Sequence, residues 1–265
     1  EGSKTVVYNI QTGEKLKVIS HQLDEQHNDL WAPESGFFKF NYKRSNQNHF
    51  TGKPVEGAFS HNGRYFWVPY YRRNYDLNAQ DPSAMAVIDT EKDTIIRIFE
   101  TGPLPKMVAV SADQKKLAVS HWRNNTVGIM DIASDNPNDW KYISKVVVDK
   151  ELKLDFSRTE KVDRDKNSGY CLRGTVFSPD GKYLFVGCMG GGGGIAVIDA
   201  VNNRYLGRII GTKPSLRHLI IKNGYLFASI NASGYVERIP LETIISAIQP
   251  LNGSTCKTVT IKNWV

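Results

Sequence analysis

The chain has 265 residues, a length that a single all-β domain commonly reaches, and 40% of its residues are hydrophobic. No apolar run approaches the roughly 20 residues needed to cross a bilayer, so the sequence predicts no membrane span. The formal net charge of +7 favours anionic partners, but the basic residues are not gathered into one run, so nucleic acid is not an expected partner.

Two strand patterns alternate along the chain. Pairs of short apolar strands around a turn occur as VEGAFSHNGRYFWVPY (55–70), MVAVSADQKKLAVSH (107–121), LRGTVFSPDGKYLFVG (172–187) and LRHLIIKNGYLFASI (216–230). A VxVID strand followed by another strand occurs at 5–19, 85–98, 126–148 and 195–210, and in weaker form at 234–240 with 257–261. The phrase AVID, which ends at Asp89, returns as GIMD about 42 residues later, which is the period of a four-stranded propeller blade.

Four inner and five outer strand pairs predict an all-β fold, a β-propeller of four-stranded antiparallel blades with about four and a half blades in this chain. Because a propeller closes by pairing its free strand edges, we expect a whole ring of six or seven blades and a chain that is incomplete at its C-terminus. A five-bladed ring with one half-built blade is the alternative. Residues 240–250, PLETIISAIQP, predict one short amphipathic helix.

Three insertions interrupt the repeats of the domain, which we take to span residues 1–265. They lie at 20–53, 70–83 and 149–170. In blade order the first and third join an outermost strand to the next innermost one, and the second joins the second strand to the third. All three connections emerge on one face of a propeller, and insertions on repeat proteins often collect on the binding face.

The repeats resemble a known family. The units AVIDTEKDTIIRIFETGPLPKMVAVSADQKKLAVS and LRGTVFSPDGKYLFVG, with the following GIAVIDA, look like the YVTN-type β-propeller repeat, which is related in architecture to lactonase-type and WD-repeat propellers. The resemblance covers roughly residues 55–240. Because members of this family include extracytoplasmic binding and surface proteins, it implies a location in the periplasm or on the surface of a bacterium. It transfers no catalytic residues, since propellers carry many unrelated functions.

Basic residues occupy the same position at the start of several inner strands. Lys106, Arg173 and Arg217 align there, His218 follows the last of them, and the first inner strand has Glu56 nearby. This position lies at the mouth of the axial channel, on the face with the insertions. Cations around a narrow opening concentrate positive potential and favour an anionic ligand such as a carboxylate, a phosphate or an acidic sugar. Pairing with local carboxylates, or extension into solvent, is the alternative.

The ends of the second strands are expected on the same face, where they carry aromatic and basic side chains. Such pairs suit planar or sugar-like ligands as well as a protein loop. The alternative is that they pack the insertions onto the propeller. The residues are Tyr70, Tyr71, Arg72, His121, Trp122 and Arg123.

The sequence also suggests a calcium site and a pair of neighbouring cysteines. Asp163, Asp165 and Asn167 have the alternate spacing of calcium ligands, with an Asx turn as the alternative, and no other cofactor is expected. Cys171 and Cys188 flank one hairpin and are expected to be neighbours, either as a disulfide or as two half-buried thiols.

The sequence therefore predicts a binding or scaffold module that recognises a partner protein or an anionic small molecule around the channel mouth. An enzyme, either a lactonase-like hydrolase or a cofactor-dependent oxidoreductase, is the less favoured alternative. No HExxH, GxSxG or Cys–His signature is present that would name catalytic residues. A subunit of a larger cell-envelope complex is the third interpretation.

Overall fold

A computed structural model describes residues 2–157, 159–252 and 257–265. The chain begins with a half blade, a two-stranded antiparallel sheet of β1 (Lys4–Tyr8) and β2 (Lys15–Ser20). The first insertion follows. It holds a small hairpin of β3 (Gln22–Leu23) and β4 (Phe50–Thr51), and a 3-10 helix over Glu25–Leu30 lies between these two strands.

Two complete four-stranded antiparallel blades come next, each in simple up-and-down order. The strands of the first blade are β5 (Ala58–Ser60), β6 (Tyr65–Tyr70), β7 (Ser83–Asp89) and β8 (Thr94–Thr101). The strands of the second blade are β9 (Pro105–Val110), β10 (Lys116–His121), β11 (Thr126–Asp131) and β12 (Lys141–Val147).

A third complete blade and a last blade of three strands follow. The strands of the third blade are β13 (Leu172–Phe177), β14 (Tyr183–Cys188), β15 (Ile195–Asp199) and β16 (Arg204–Ile210). The strands of the last blade are β17 (Leu216–Lys222), β18 (Tyr225–Ile230) and β19 (Tyr235–Pro240). The sequence prediction of an all-β propeller with about four and a half blades is confirmed.

The C-terminal segment differs from the prediction. The expected short helix is present as α1 (Leu241–Ala247), followed by a 3-10 turn over Gln249–Leu251. The last strand, β20 (Thr258–Thr260), was expected beside β19, but it pairs in parallel with the outer strand β16 of the third blade. The chain then returns to the last blade, where the backbones of Val265 and Arg238 exchange two hydrogen bonds.

Side chains repeated in the sequence explain the turns. In the hairpin turn of the second blade Ser111 Oγ donates to Asp113 Oδ1 and accepts from the Lys116 amide, and Ser178 and Asp180 repeat this arrangement in the third blade. Asp89, Asp131 and Asp199, which end three of the VxVID strands, accept hydrogen bonds from backbone amides of the turn that follows. Short polar side chains that satisfy backbone N–H groups stabilise tight turns, so the repeated letters encode repeated turns.

The hydrophobic core lies between the faces of neighbouring blades. Between the first and second blades, Trp67 and Met85 pack with Leu117 and Met130, and all four side chains are fully buried. Burying one such side chain contributes roughly 1.5–3 kcal/mol, so each interface between blades stabilises both. This packing fixes the inner strands side by side, with β9 against β5 and β13, and β17 against β13.

Candidate binding site at the channel mouth

The start of the inner strands brings together side chains that are far apart in sequence. Arg173 Nη2 donates to Glu56 Oε1 at 2.6 Å, and His218 Nε2 lies 3.6 Å from the same oxygen. Lys106 starts the inner strand between those of Glu56 and Arg173. We call the cluster of Glu56, Lys106, Arg173 and His218 the channel mouth.

Lys106 is held by aromatic rings rather than by an acid. Its Nζ lies 4.2 Å from the centre of the Tyr71 ring and 5.2 Å from that of Trp122. The guanidinium of Arg164 lies 5.4 Å from the Tyr71 ring centre. Burial lowers the pKa of Lys106 to about 8, and the nearby positive charge of Arg173 adds to this effect.

A β-bulge decides which basic residue of β17 enters the channel mouth. The pairing register between β17 and β18 shifts between Leu216 and His218. Arg217, which the sequence aligned with Lys106 and Arg173, donates to Asn231 Oδ1 at 2.9 Å. Its neighbour His218 faces Glu56 instead, and burial lowers the pKa of this histidine.

Positive charge at the channel mouth is only partly balanced. Glu56 pairs with Arg173, and Asp165 lies near enough to Lys106 to raise its pKa slightly against the effect of burial. Within the described residues, Arg173 Nε and Glu56 Oε2 are buried without a hydrogen-bond partner. These two atoms therefore lack the partner that buried polar atoms normally have.

The three insertions contact one another through hydrogen bonds. Gln80 exchanges two hydrogen bonds with the backbone of Phe156, at 2.9 and 2.8 Å, which joins the second insertion to the third. Asn41, in the first insertion, donates through its amide to the Leu154 carbonyl and through its backbone to Asp81 Oδ1. The insertions therefore form one continuous layer.

Arg123 joins the second insertion to the third. Its side chain is fully buried, and it donates to the Asn78 carbonyl, the Asn167 carbonyl and Ser168 Oγ at 3.2, 2.7 and 3.0 Å. Its guanidinium also lies 5.2 Å from the Phe156 ring centre. These contacts support the packing alternative for Arg123, which the sequence placed among ligand-binding candidates.

Tyr70 and His121 are also buried in the propeller. The Gly102 amide donates to His121 Nε2 at 3.0 Å, so Nδ1 carries the proton and donates to Thr126 Oγ1 at 2.8 Å. Burial lowers the pKa of His121 to about 3. Tyr70 is 0% exposed, its hydroxyl bonds His21, and burial raises its pKa.

Of the remaining aromatic and basic candidates, Tyr71 and Trp122 lie beside Lys106, as described above. Arg72 Nη1 donates to the carbonyls of Arg73, Asn74 and Asp76 within its own loop. The structure thus brings Tyr71 and Trp122 to the channel mouth and uses Arg72 to shape the second insertion.

The calcium spacing is used for a turn. Asp163 Oδ1 accepts from the amides of Asp165 and Lys166 at 3.1 and 3.3 Å, which is an Asx turn. Within the described residues, His, Cys, Asp and Glu side chains form no cluster of three or more that could hold a metal ion. The calcium expectation at Asp163, Asp165 and Asn167 has no support from this geometry.

The disulfide alternative for the hairpin cysteines is not realised, because both Cys171 and Cys188 are free and buried. Cys188 pairs with Leu172, one residue beyond the register that would place it opposite Cys171. Their Sγ atoms contact different backbone carbonyls, those of Asp165 and Val186. Burial raises the pKa of each thiol to about 12.

A cavity of about 730 Å³ lies apart from the channel mouth. Segments of all three insertions line it, and Lys145 in its wall is paired with Glu151 at 2.9 Å. Its wall carries both basic and acidic side chains, namely Lys39, Lys145, Glu151, Lys153 and Asp155. We favour the channel mouth as the candidate site because convergent cations and orphaned polar atoms coincide there.

Sequence reasoning missed two contributors to this site. Glu56 is the acid that bridges Arg173 and His218, and the only signal for it was a carboxylate where the other inner strands begin with a cation. Arg164 comes from the third insertion, and no repeat aligns it with the channel.

Comparison with known proteins shows the fold alone. No protein-family model matches the chain. No curated protein matches it. The YVTN-type resemblance therefore stays an interpretation of the sequence.

Several solved structures share the architecture. The chain matches hydrazine synthase of Kuenenia stuttgartiensis with 18% identity and a TM-score of 0.55, over 76% of this chain and 50% of that one. It matches the periplasmic gluconolactonase of Pseudomonas aeruginosa with 12% identity and a TM-score of 0.56, over 89% and 58%. It matches the β-propeller domain of Cps50 (Swd1) of Myceliophteria thermophila with 10% identity and a TM-score of 0.54, over 89% and 58%.

These likenesses define the class of protein, a β-propeller. The chain spans 50% to 58% of the length of those three proteins. Among the described residues, no helix has the length and apolar character needed to cross a bilayer.

Proposed function

We propose that this protein is a binding module that takes an anionic small molecule at the channel mouth. The observation that supports this most strongly is that Arg173 and His218, from successive blades, meet at Glu56, with Lys106 on the neighbouring inner strand close enough to feel the charge of Arg173. Guanidinium and ammonium groups in a partly desolvated site bind carboxylates and phosphates through short charge-assisted hydrogen bonds.

The arrangement of the site favours a small ligand. Arg173 is 9% exposed, so a flat protein surface would reach little of its guanidinium, whereas a carboxylate or phosphate could reach it beside Lys106. The ring of Tyr71 next to Lys106 offers an apolar face to the rest of the ligand. A partner protein that presents an acidic side chain to the same cluster is the second candidate.

Calorimetry with matched ligands tests the proposal. Gluconate and inorganic phosphate are titrated against the neutral sugar glucose, and only the anions are expected to bind. The double variant Arg173→Gln/Glu56→Gln removes both members of the ion pair at once, so no buried charge is left unpaired. It is expected to lose anion binding at least tenfold. The exposed control Lys222→Gln is expected to bind as the wild type does.

We further propose an extracytoplasmic location, with the protein acting alone or as part of a cell-envelope complex. The implication of the YVTN-type repeat and the likeness to a periplasmic gluconolactonase support this location. Cell fractionation of the native host tests it, and size-exclusion chromatography of the native material distinguishes a complex from a monomer.

Lactone hydrolysis is a second candidate function, and the fold shared with a gluconolactonase is the observation that favours it. In this case the anionic product would be the ligand of the same cluster. Hydrolysis of gluconolactone by the purified protein, measured by proton release with and without added divalent cations, tests this candidate. A rate equal to the spontaneous one counts against it.

A further inference from the structure

Lys106 has an unusual environment for a lysine at a binding site. Within the described residues no acid forms an ion pair with its Nζ, which lies between the rings of Tyr71 and Trp122. The carboxylates of Glu56 and Asp165 raise the pKa of Lys106, and the positive charges of Arg173 and Arg164 lower it. The amine is thus partly buried, fixed by its place at the start of β9, and free of a carboxylate partner.

Burial, which is the largest cause of the lowered pKa, and the positive charges of Arg173 and Arg164 favour the neutral amine, against the attraction of the Tyr71 and Trp122 ring faces for the ammonium. A lysine that is desolvated and placed beside other cations loses its proton more readily, and the neutral amine is the nucleophilic form. With a pKa of about 8, about a tenth of Lys106 is deprotonated at pH 7. For a lysine with an ordinary pKa near 10.5 the fraction is about 300 times smaller.

We propose that Lys106 forms a reversible imine with a small anionic carbonyl compound, such as a 2-oxo acid or an aldehyde acid, whose carboxylate is held by Arg173. This inference rests on the proposed function and names the class of ligand. The two groups come from adjacent inner strands, β9 and β13, which pack against each other. The guanidinium of Arg173 is close enough to Lys106 for its charge to lower the pKa of the amine, and a 2-oxo acid carries its carboxylate and its carbonyl on neighbouring carbons.

The reaction balances without an oxidant or a metal. The nitrogen lone pair attacks the carbonyl carbon, and a proton passes from nitrogen to the former carbonyl oxygen to give a carbinolamine. The carbinolamine then loses that oxygen as water, and a carbon–nitrogen double bond forms. Amine and carbonyl compound become imine and water, and hydrolysis reverses the reaction.

Reductive trapping tests the proposal. The wild-type protein is incubated at pH 7 with glyoxylate and cyanoborohydride, and the adducts are located by peptide mass spectrometry. Labelling of Lys106 is expected to exceed that of the exposed Lys222 at least tenfold. The variant Lys106→Arg, which keeps the positive charge, is expected to lose this adduct. Equal labelling of the two lysines overturns the proposal.

A neutral aldehyde tests the role of the carboxylate. Wild-type labelling of Lys106 is expected to favour glyoxylate over acetaldehyde at least tenfold, and the Arg173→Gln/Glu56→Gln variant is expected to reduce this preference to about one. Equal labelling by both compounds in the wild type overturns the anionic part of the proposal.

Acetate binding distinguishes the two levels of the hypothesis, because acetate carries the charge but cannot form an imine. If acetate binds to the wild type in calorimetry and glyoxylate leaves no preferred adduct on Lys106, the imine is wrong and the anion site stands. If acetate does not bind, the anion site itself is wrong.

Discussion

Replacement of Arg123 by Met is expected to destabilise the layer of insertions strongly. The fully buried guanidinium makes three hydrogen bonds to the second and third insertions, and Met removes all three while keeping most of the side chain volume. A hydrogen bond from a charged group contributes about 1.5–3 kcal/mol. The loss is offset because a buried charge with one orphaned nitrogen, Nη2, is removed as well.

The expected loss in the free energy of unfolding is about 3–5 kcal/mol, in the range found when a buried polar network is broken. With a urea dependence of about 3 kcal/mol/M, the midpoint of urea unfolding falls by about 1–1.7 M. Circular dichroism in urea measures this shift. The matched control is Arg204→Met at an exposed site, which is expected to change the stability by less than about 0.5 kcal/mol. A decrease of less than about 1 kcal/mol in the free energy of unfolding of the Arg123 variant would show that Arg123 does not stabilise the layer of insertions.

Three further results are expected. Glu56→Gln removes the carboxylate that competes with an anionic ligand for the Arg173 guanidinium, so the affinity for gluconate in calorimetry should rise about tenfold. An unchanged or weaker affinity would argue against this competition. His121 has a folded pKa of about 3, below its unfolded value, so its contribution to stability is complete above about pH 6.5 and is lost as the pH falls toward 3. As the pH falls from 6 to 4, the free energy of unfolding of His121→Gln should therefore decrease less steeply than that of the wild type, and the two slopes should differ by about 1.4 kcal/mol per pH unit. Urea unfolding at a series of pH values measures both slopes. Parallel profiles would refute this prediction. Gly194→Ala should lower the melting temperature far more than Gly181→Ala. Both glycines have a positive φ, but of the two only Gly194 would place the new Cβ 2.3 Å from a backbone oxygen, that of Ile209. Equal decreases in melting temperature would contradict this reasoning.

The architecture could be predicted from the sequence because each blade repeats its own turn chemistry. Ser111 and Ser178 head the same hairpin turn, and Asp89 and Asp199 cap the same connection, so the letters mark where strands end. Alternating apolar residues then place one core between each pair of blades. The same reasoning identified α1.

Register and long-range pairing were not predictable in this way. A one-residue bulge places His218 rather than Arg217 opposite Glu56, and a shift of one residue separates Cys171 from Cys188. Such irregularities depend on local packing that a repeat pattern does not encode. The parallel pairing of β20 with β16 likewise joins two blades across a segment with no repeat.

The candidate site was predictable only in outline. Lys106 and Arg173 could be aligned because they start equivalent inner strands, and they do lie on adjacent strands at the axis. Glu56 stands where the other inner strands have a basic residue, and its contacts with both Arg173 and His218 depend on the curvature of the ring. Arg123 could not be distinguished from a ligand-binding residue, since burial under the insertions is a property of the tertiary structure.

Anomalous diffraction from crystals soaked in selenate tests the central claim most directly, because it locates a bound oxyanion without assuming the identity of the natural ligand. A selenium peak is expected within hydrogen-bond distance of Arg173 and beside Lys106, and it should vanish in the Arg173→Gln/Glu56→Gln variant. Selenium bound only at exposed lysines, with none at the channel mouth, would contradict the account.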